Sequence, residues 1–193
     1  MTKPSKTALC AAALLLAAVL VQPAAAQETK TAAKAAAPEV SVRGEILRQI
    51  DSARDKLVAL AEATPADKFT WRPNDKVRTV GEVFGHVAGG NYFLPTLWGV
   101  KPPEGVDMRG LEKEGADKAK TIDALKKSFE HVHKVVDATT DADLHKAVKL
   151  FDHDGTVLEG LMILASHGHE HLGQSIAYAR SVGIVPPWSA GGQ

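Results

Sequence analysis

The chain has 193 residues, 45% of them hydrophobic and 24% charged, which is enough for one domain with a sizeable core. Lys and Arg together number 23, the same as Asp and Glu, so no concentrated basic face marks a nucleic-acid partner. The single cysteine, Cys10, falls in a segment that reads as cleaved, which leaves the rest without a disulfide, a thiolate nucleophile or a thiolate ligand.

Residues 1–26 read as a secretory signal peptide. Lys3 and Lys6 form a positive start, residues 8–21 are an uncharged apolar run, Pro23 breaks it, and Ala24-Ala25-Ala26 offers a cleavage site. The apolar run is shorter than the roughly 20 residues a membrane span needs, so no stable membrane insertion is expected after cleavage. Cys10 lies too early in the run for a lipoprotein signal. These features point to a secreted or periplasmic protein. Without the two lysines, 21 basic residues face 23 acidic ones, a net charge of −2. Residues 27–41 are rich in Ala, Lys and Thr without an apolar face and read as a flexible linker. The folded domain is expected over 42–188, with a tail over 189–193.

In the domain, Ile46, Ile50, Ala53, Leu57 and Leu60 recur at steps of four and three, the stripe of a helix over 42–63. Thr64-Pro65 ends it, and a loop follows whose aromatics Phe69 and Trp71 are expected to pin it onto the domain. Thr79 and Glu82 form a capping box for a second helix that runs to about Trp98, with Val80, Val83, Val87 and Leu94 on its stripe and His86 beside it. Gly85, Gly89 and Gly90 each cost about 1 kcal/mol relative to alanine in a helix. Their crowding around His86 suggests close helix approach or space kept for a bound group. Pro95 interrupts the helix end, and residues 99–115 form a long irregular connection, read either as a lid or as a crossover. A third helix is expected over 116–138, with Ile122, Leu125, Phe129, Val132 and Val136 inward and His131 and His133 at the rim. Val148-Lys149-Leu150 reads as a short extended piece and Asp154-Gly155 as a turn. His145 and His153 read as surface residues. Thr156 and Glu159 suggest a second capping box, opening a helix whose seam is Val157, Leu161, Leu164, Gly168, His171, Ser175 and Tyr178. With no convincing strand and no internal repeat, the pattern predicts an all-α antiparallel four-helix bundle with one long crossover.

Three of the eight histidines fall in Ser166-His167-Gly168-His169-Glu170-His171. His167 and His171 are four apart and leave the same face of a helix. With His86 from the second helix they form a candidate three-histidine metal site with open positions, since bundle metal sites are built from facing helices. Imidazole donors suit a divalent ion, zinc or nickel first, with iron, copper or manganese as alternatives. His169 points about 200° away from His167 and is set aside. The same stretch matches H-x-x-E-H, the inverted zincin signature, with Glu170 as base. That peptidase reading needs an acidic ligand well downstream, and the residues after Glu170 contain no Asp or Glu.

The chain also resembles the DinB/YfiT-like family over nearly all of the expected domain. Phe69-Thr70-Trp71-Arg72-Pro73 is similar to the family's W-x-P loop, and Val80-Gly81-Glu82-Val83-Phe84-Gly85-His86-Val87 to the segment ending in its first ligand histidine. The start of the last helix, from Thr156-Val157 to Leu164, also resembles the family's. His167-x-x-x-His171-x-Gly173-Gln174 resembles H-x-x-x-H-R-G-Q, and Arg180-x-x-Gly183-Ile184-x-Pro186-Pro187 the family's C-terminal tail. Leu172 departs from the usual arginine, and a secretory signal is unusual beside the cytoplasmic members that handle thiols. The resemblance implies a four-helix bundle, often a homodimer, with a divalent metal on His86, His167 and His171. Some members resemble thiol S-transferases or mycothiol-dependent isomerases, chemistry that transfers poorly to an exported protein. The expected function is a metal-dependent hydrolase or transferase that activates water or a small nucleophile against an unidentified small-molecule substrate. The alternatives are a non-catalytic metal-binding or stress-related envelope protein and, behind it, the peptidase.

Overall fold

A computed structural model describes residues 41–191. The signal over 1–26 and the linker up to residue 40 lie outside the described residues. Ser41, placed at the end of that linker, is instead the N-cap of the first helix, its hydroxyl accepting from the Gly44 N–H.

Four long helices bury the stripes their sequences set out. They are α1 (Val42–Ala63), α2 (Val80–Phe93), α4 (Lys118–Ala138) and α5 (Val157–Ser181), with a single-turn α3 (Gly110–Lys113) in the long connection. Leu57, Leu60, Phe84, Val87, Leu125, Val132 and Leu161 are fully buried and make one core. Each such side chain contributes about 1.5–3 kcal/mol by leaving water. The capping box of α2 forms on both sides, with Thr79 accepting from the Glu82 N–H and Glu82 accepting from the Thr79 N–H. At α5 only half of it forms, because the Glu159 carboxylate turns to His153 at 2.9 Å.

Among the described residues, contacts place α1 and α2 on one diagonal of the bundle and α4 and α5 on the other. Arg43 pairs with Asp141 just beyond the end of α4, and the Glu62 carbonyl accepts from Lys118 at its start, so α1 and α4 are antiparallel. Gly90 meets His167 while Gly160 meets Trp98, so α2 and α5 are antiparallel as well. Asn91 bonds Ser128 and Tyr92 stacks on His131, so α2 and α4 run in the same direction. The expected four-helix bundle with one long crossover is what forms, and the crossover is what allows α2 and α4 to be parallel neighbours.

The crossover begins as a 3-10 turn (Leu94–Trp98) at Pro95 and then doubles back along α2. A Cβ placed on Gly81, Gly85 or Gly89 would collide with the backbone at Gly115, Leu111 or Met108, respectively. Those three glycines, spaced by four, form the groove in which the crossover's backbone lies. It is a plain crossover that also walls a cavity.

Three expectations are corrected here. A β-hairpin, β1 (Ala147–Leu150) with β2 (His153–Thr156), stands between α4 and α5 where no convincing strand was expected. Its turn is Phe151-Asp152, and Asp154-Gly155 lies within β2. Gly155 leaves room there for the Leu150 and Glu159 side chains, which a Cβ would displace. His131, expected at the rim, is buried against Tyr92 with ring centroids 5.2 Å apart, and desolvation first and Lys134 second lower its pKa. His133 is half-buried against Asp51 and Arg54, and His145 and His153 are exposed. No described helix is long and apolar enough to cross a membrane.

Candidate metal centre

The glycine groove explains how His86 acquires its surroundings. Seating the crossover on Gly85 and Gly89 brings Glu112, on α3, beside the imidazole. His86 Nδ1 lies 3.0 Å from Glu112 Oε2, and the other carboxylate oxygen accepts from Arg78 Nε at 2.9 Å. Burial pushes the Glu112 carboxyl up, but its bonds to Arg78 and His86 outweigh that and hold it below the ordinary value. It is therefore ionised at neutral pH and can only accept, which makes Nδ1 the protonated nitrogen of His86 and leaves Nε2 with a bare lone pair.

His171 is arranged the same way from α5. Its Nδ1 lies 2.8 Å from Gln174 Oε1, and the Gln174 amide donates to the Tyr178 hydroxyl at 3.2 Å. Because the amide nitrogen is committed to Tyr178, its oxygen faces His171 and Nδ1–H donates to it. Tyr178 in turn packs edge-on against Trp71 at 5.6 Å, so the loop aromatic that pins the loop also steadies this chain of bonds. A hydrogen-bonded Nδ1 that leaves Nε2 free is the usual arrangement of a metal-ligating histidine.

His167 completes the cluster. Its ring lies against Gly90, where any larger residue would overlap it. Its Nε2 is 3.3 Å from His86 Nε2, and its ring centroid is 4.6 Å from that of His171. One nitrogen from each of the three rings lies within 4.8 Å of the others. Adjacent ligands of a tetrahedral ion at ordinary metal–nitrogen length are about 3.4 Å apart, so the spacing of the His86 and His167 nitrogens fits a shared ion. Burial first, then His171, His86 and Arg78, depress His167 to about 3, and burial first also lowers His86 despite Glu112. His167 Nδ1 has no partner, so without an ion the neutral ring can carry its proton on Nε2 and donate to His86 Nε2, and moving that proton to Nδ1 would free Nε2 as a ligand.

His169 donates from Nε2 to the Gln49 carbonyl at 3.0 Å, on the other side of α5, as its phase required. Glu170 is exposed and outside the cluster, so the peptidase signature gains no geometry. Leu172 is 5% exposed and belongs to the core, so its departure from arginine affects packing, not a surface. Glu112 was not visible in the sequence, since it lies in a stretch without periodicity. Gln174 was visible only as part of a motif, without a role.

A cavity of about 600 Å³ opens beside His86, with Gly89, Gly90, Phe93 and Thr96 on one wall and Met108, Arg109 and Lys113 of the crossover on the other. Asn91 and Tyr92 do not line it, because they leave α2 towards Ser128 and His131 of α4, and Trp98, in the 3-10 turn, packs on Gly160 of α5. A larger groove of about 760 Å³ between α1 and α4 includes His133 but none of the clustered histidines.

Fold and cluster together define a four-helix bundle organised around three facing imidazoles. The chain belongs to the DinB superfamily, whose sequence model matches residues 49–175. Its fold is similar to a DinB-like protein from Bacillus cereus, with 16% identity, a TM-score of 0.65, and 74% of this chain and 93% of that one covered. It is also similar to the DinB-like protein YjoA of Bacillus subtilis, with 17% identity, a TM-score of 0.54, and 73% and 94% covered. At such identities the likeness is one of fold. No curated protein matches the chain.

Proposed function

We propose that His86, His167 and His171 ligate one divalent metal ion, zinc or nickel, in an exported, periplasmic metal-dependent hydrolase or transferase. The observation that carries this is the paired second contacts: Glu112 and Gln174 each accept from an Nδ1–H and leave Nε2 free, in a cluster with one nitrogen of each ring within 4.8 Å of the others. Both contacts are what a ligand histidine needs. When bound, the ion would let water or a small nucleophile lose a proton near neutral pH. The chain's own residues do the rest. Glu112 and Gln174 fix the two rings, Gly90 leaves room for the third, and the crossover walls off one side of the cavity. The cavity favours turnover over a site that only stores metal, because it leaves His86 open to a ligand of substrate size.

Purified, untagged protein is expected to carry or take up one equivalent of divalent metal, and His171→Leu to abolish uptake. A wild-type chain that takes up none on titration, or a His171→Leu variant that binds as well, refutes the reading.

A further inference from the structure

The cavity beside His86 is uneven in its chemistry. Of its acids, Glu82 is committed to the α2 cap, accepting from the Thr79 N–H at 2.7 Å, and Glu112 to Arg78 and His86. Arg109 and Lys113, one turn apart on the crossover, both line the cavity, and neither has an acidic partner within ion-pair distance among the described residues. The wall therefore offers two uncompensated cations. Beside them on the same wall is Met108, and on the α2 wall opposite is Phe93, 43% exposed.

Phe93 has an unusual neighbour. Phe151, 56% exposed at the hairpin turn, lies with its ring centroid 6.5 Å away. Its φ of 54° is in the left-handed region, where a bulky side chain is disfavoured and glycine is at ease. A turn that needed only to reverse the chain would be better served by glycine or asparagine. Here the disfavoured conformation places an aromatic ring beside the cavity's own aromatic, and such strain is typical of ligand clamps.

We propose that this pocket takes a small organic anion with an aryl-sized apolar body. Its carboxylate, or an equivalent group, lies between Arg109 and Lys113, its body against Phe93 and Phe151, and its reacting atom towards the His86 side. The cavity volume is in the range that holds such molecules, about 300–1,000 Å³. The choice of substrate class rests on the metal reading for its reaction, but not for its binding, because the cations and aromatics are not ligands.

The test is calorimetric titration of the full chain, zinc-loaded and metal-free, with phenylacetate, phenylacetamide and acetate. Phenylacetate is expected to bind at least tenfold tighter than either of the others. Arg109→Ala with Lys113→Ala should lower its affinity at least tenfold while zinc affinity stays unchanged. Phe151→Gly should keep or raise the Tm and bring phenylacetate close to acetate. Equal binding of phenylacetamide, or an unchanged affinity in the double variant, overturns the proposal while leaving the metal site standing. If zinc does not load, the metal reading fails, and the same ranking in the metal-free titrations still decides this one.

Discussion

Replacing Gly90 by alanine separates the metal site from the fold that carries it. A methyl group there would lie 3.0 Å from Nδ1 and 3.1 Å from Nε2 of His167, and closer still to Cε1. Ordinary contact needs about 3.5 Å or more, so the ring must retreat by roughly half an ångström to an ångström. Metal–nitrogen lengths tolerate only about 0.2 Å. Zinc affinity, read by competition with a chromogenic chelator, should fall about ten- to a hundredfold, or about 1.4–2.7 kcal/mol. The metal-free protein should show no comparable loss, because the gain of about 1 kcal/mol in helix propensity offsets much of the about 1–3 kcal/mol that displacing the ring costs. Gly173→Ala is the control, because a Cβ there meets nothing within 4 Å. It should raise the metal-free Tm and leave zinc affinity alone. A Gly90→Ala protein that binds zinc as tightly as the parent would show that His167 is not held against α2 as a ligand, and the three-histidine assignment would fall.

Three further outcomes follow from the same geometry. Glu112→Gln removes the ionised acceptor of His86 and should cost about ten- to a hundredfold in metal affinity with little change in the metal-free Tm; an unchanged affinity would make Glu112 a packing residue. In the unfolded chain His167 takes a proton near pH 6.5, but in the fold it stays neutral down to about 3. Between those values the unfolded state binds the extra proton, so the metal-free protein should lose stability as pH falls through that window, by up to a few kcal/mol; a His167→Gln variant should have a shallower slope, with His86 and His131 keeping their share, and an identical slope would refute the assignment. Leu172→Arg, which restores the family's common residue, should destabilise this chain by about 3–5 kcal/mol because the site is in the core. A neutral result in chemical denaturation would mean that the arginine reaches solvent.

The sequence made the bundle legible because stripes such as Ile46-Ile50-Ala53-Leu57-Leu60 record burial directly, and it made the three histidines legible because helical phase determines which of them share a face. It did not show what surrounds them. Gly81, Gly85 and Gly89 receive a backbone, and a backbone leaves no side-chain pattern in the segment that docks. Glu112 was hidden for the same reason. The hairpin turn was misplaced because Asp154-Gly155 is a strong local signal, yet Gly155 answers a packing demand from Leu150 and Glu159. His131 was misplaced because its flanking charges suggested solvent, whereas Tyr92 from α2 covers it.

The crossover's seat on α2 also ties two events into one equilibrium. Glu112 reaches His86 only while the segment around α3 lies in the glycine groove, so whatever strengthens that contact strengthens the docking. A metal ion on His86 would polarise the ring and tighten the Nδ1–H bond to Glu112, and by reciprocity a docked crossover would raise affinity for the ion. A segment carrying no ligand of its own thus becomes a reporter of occupancy. Its amide hydrogen exchange should slow when metal is added, by the same factor by which holding it down would tighten the metal.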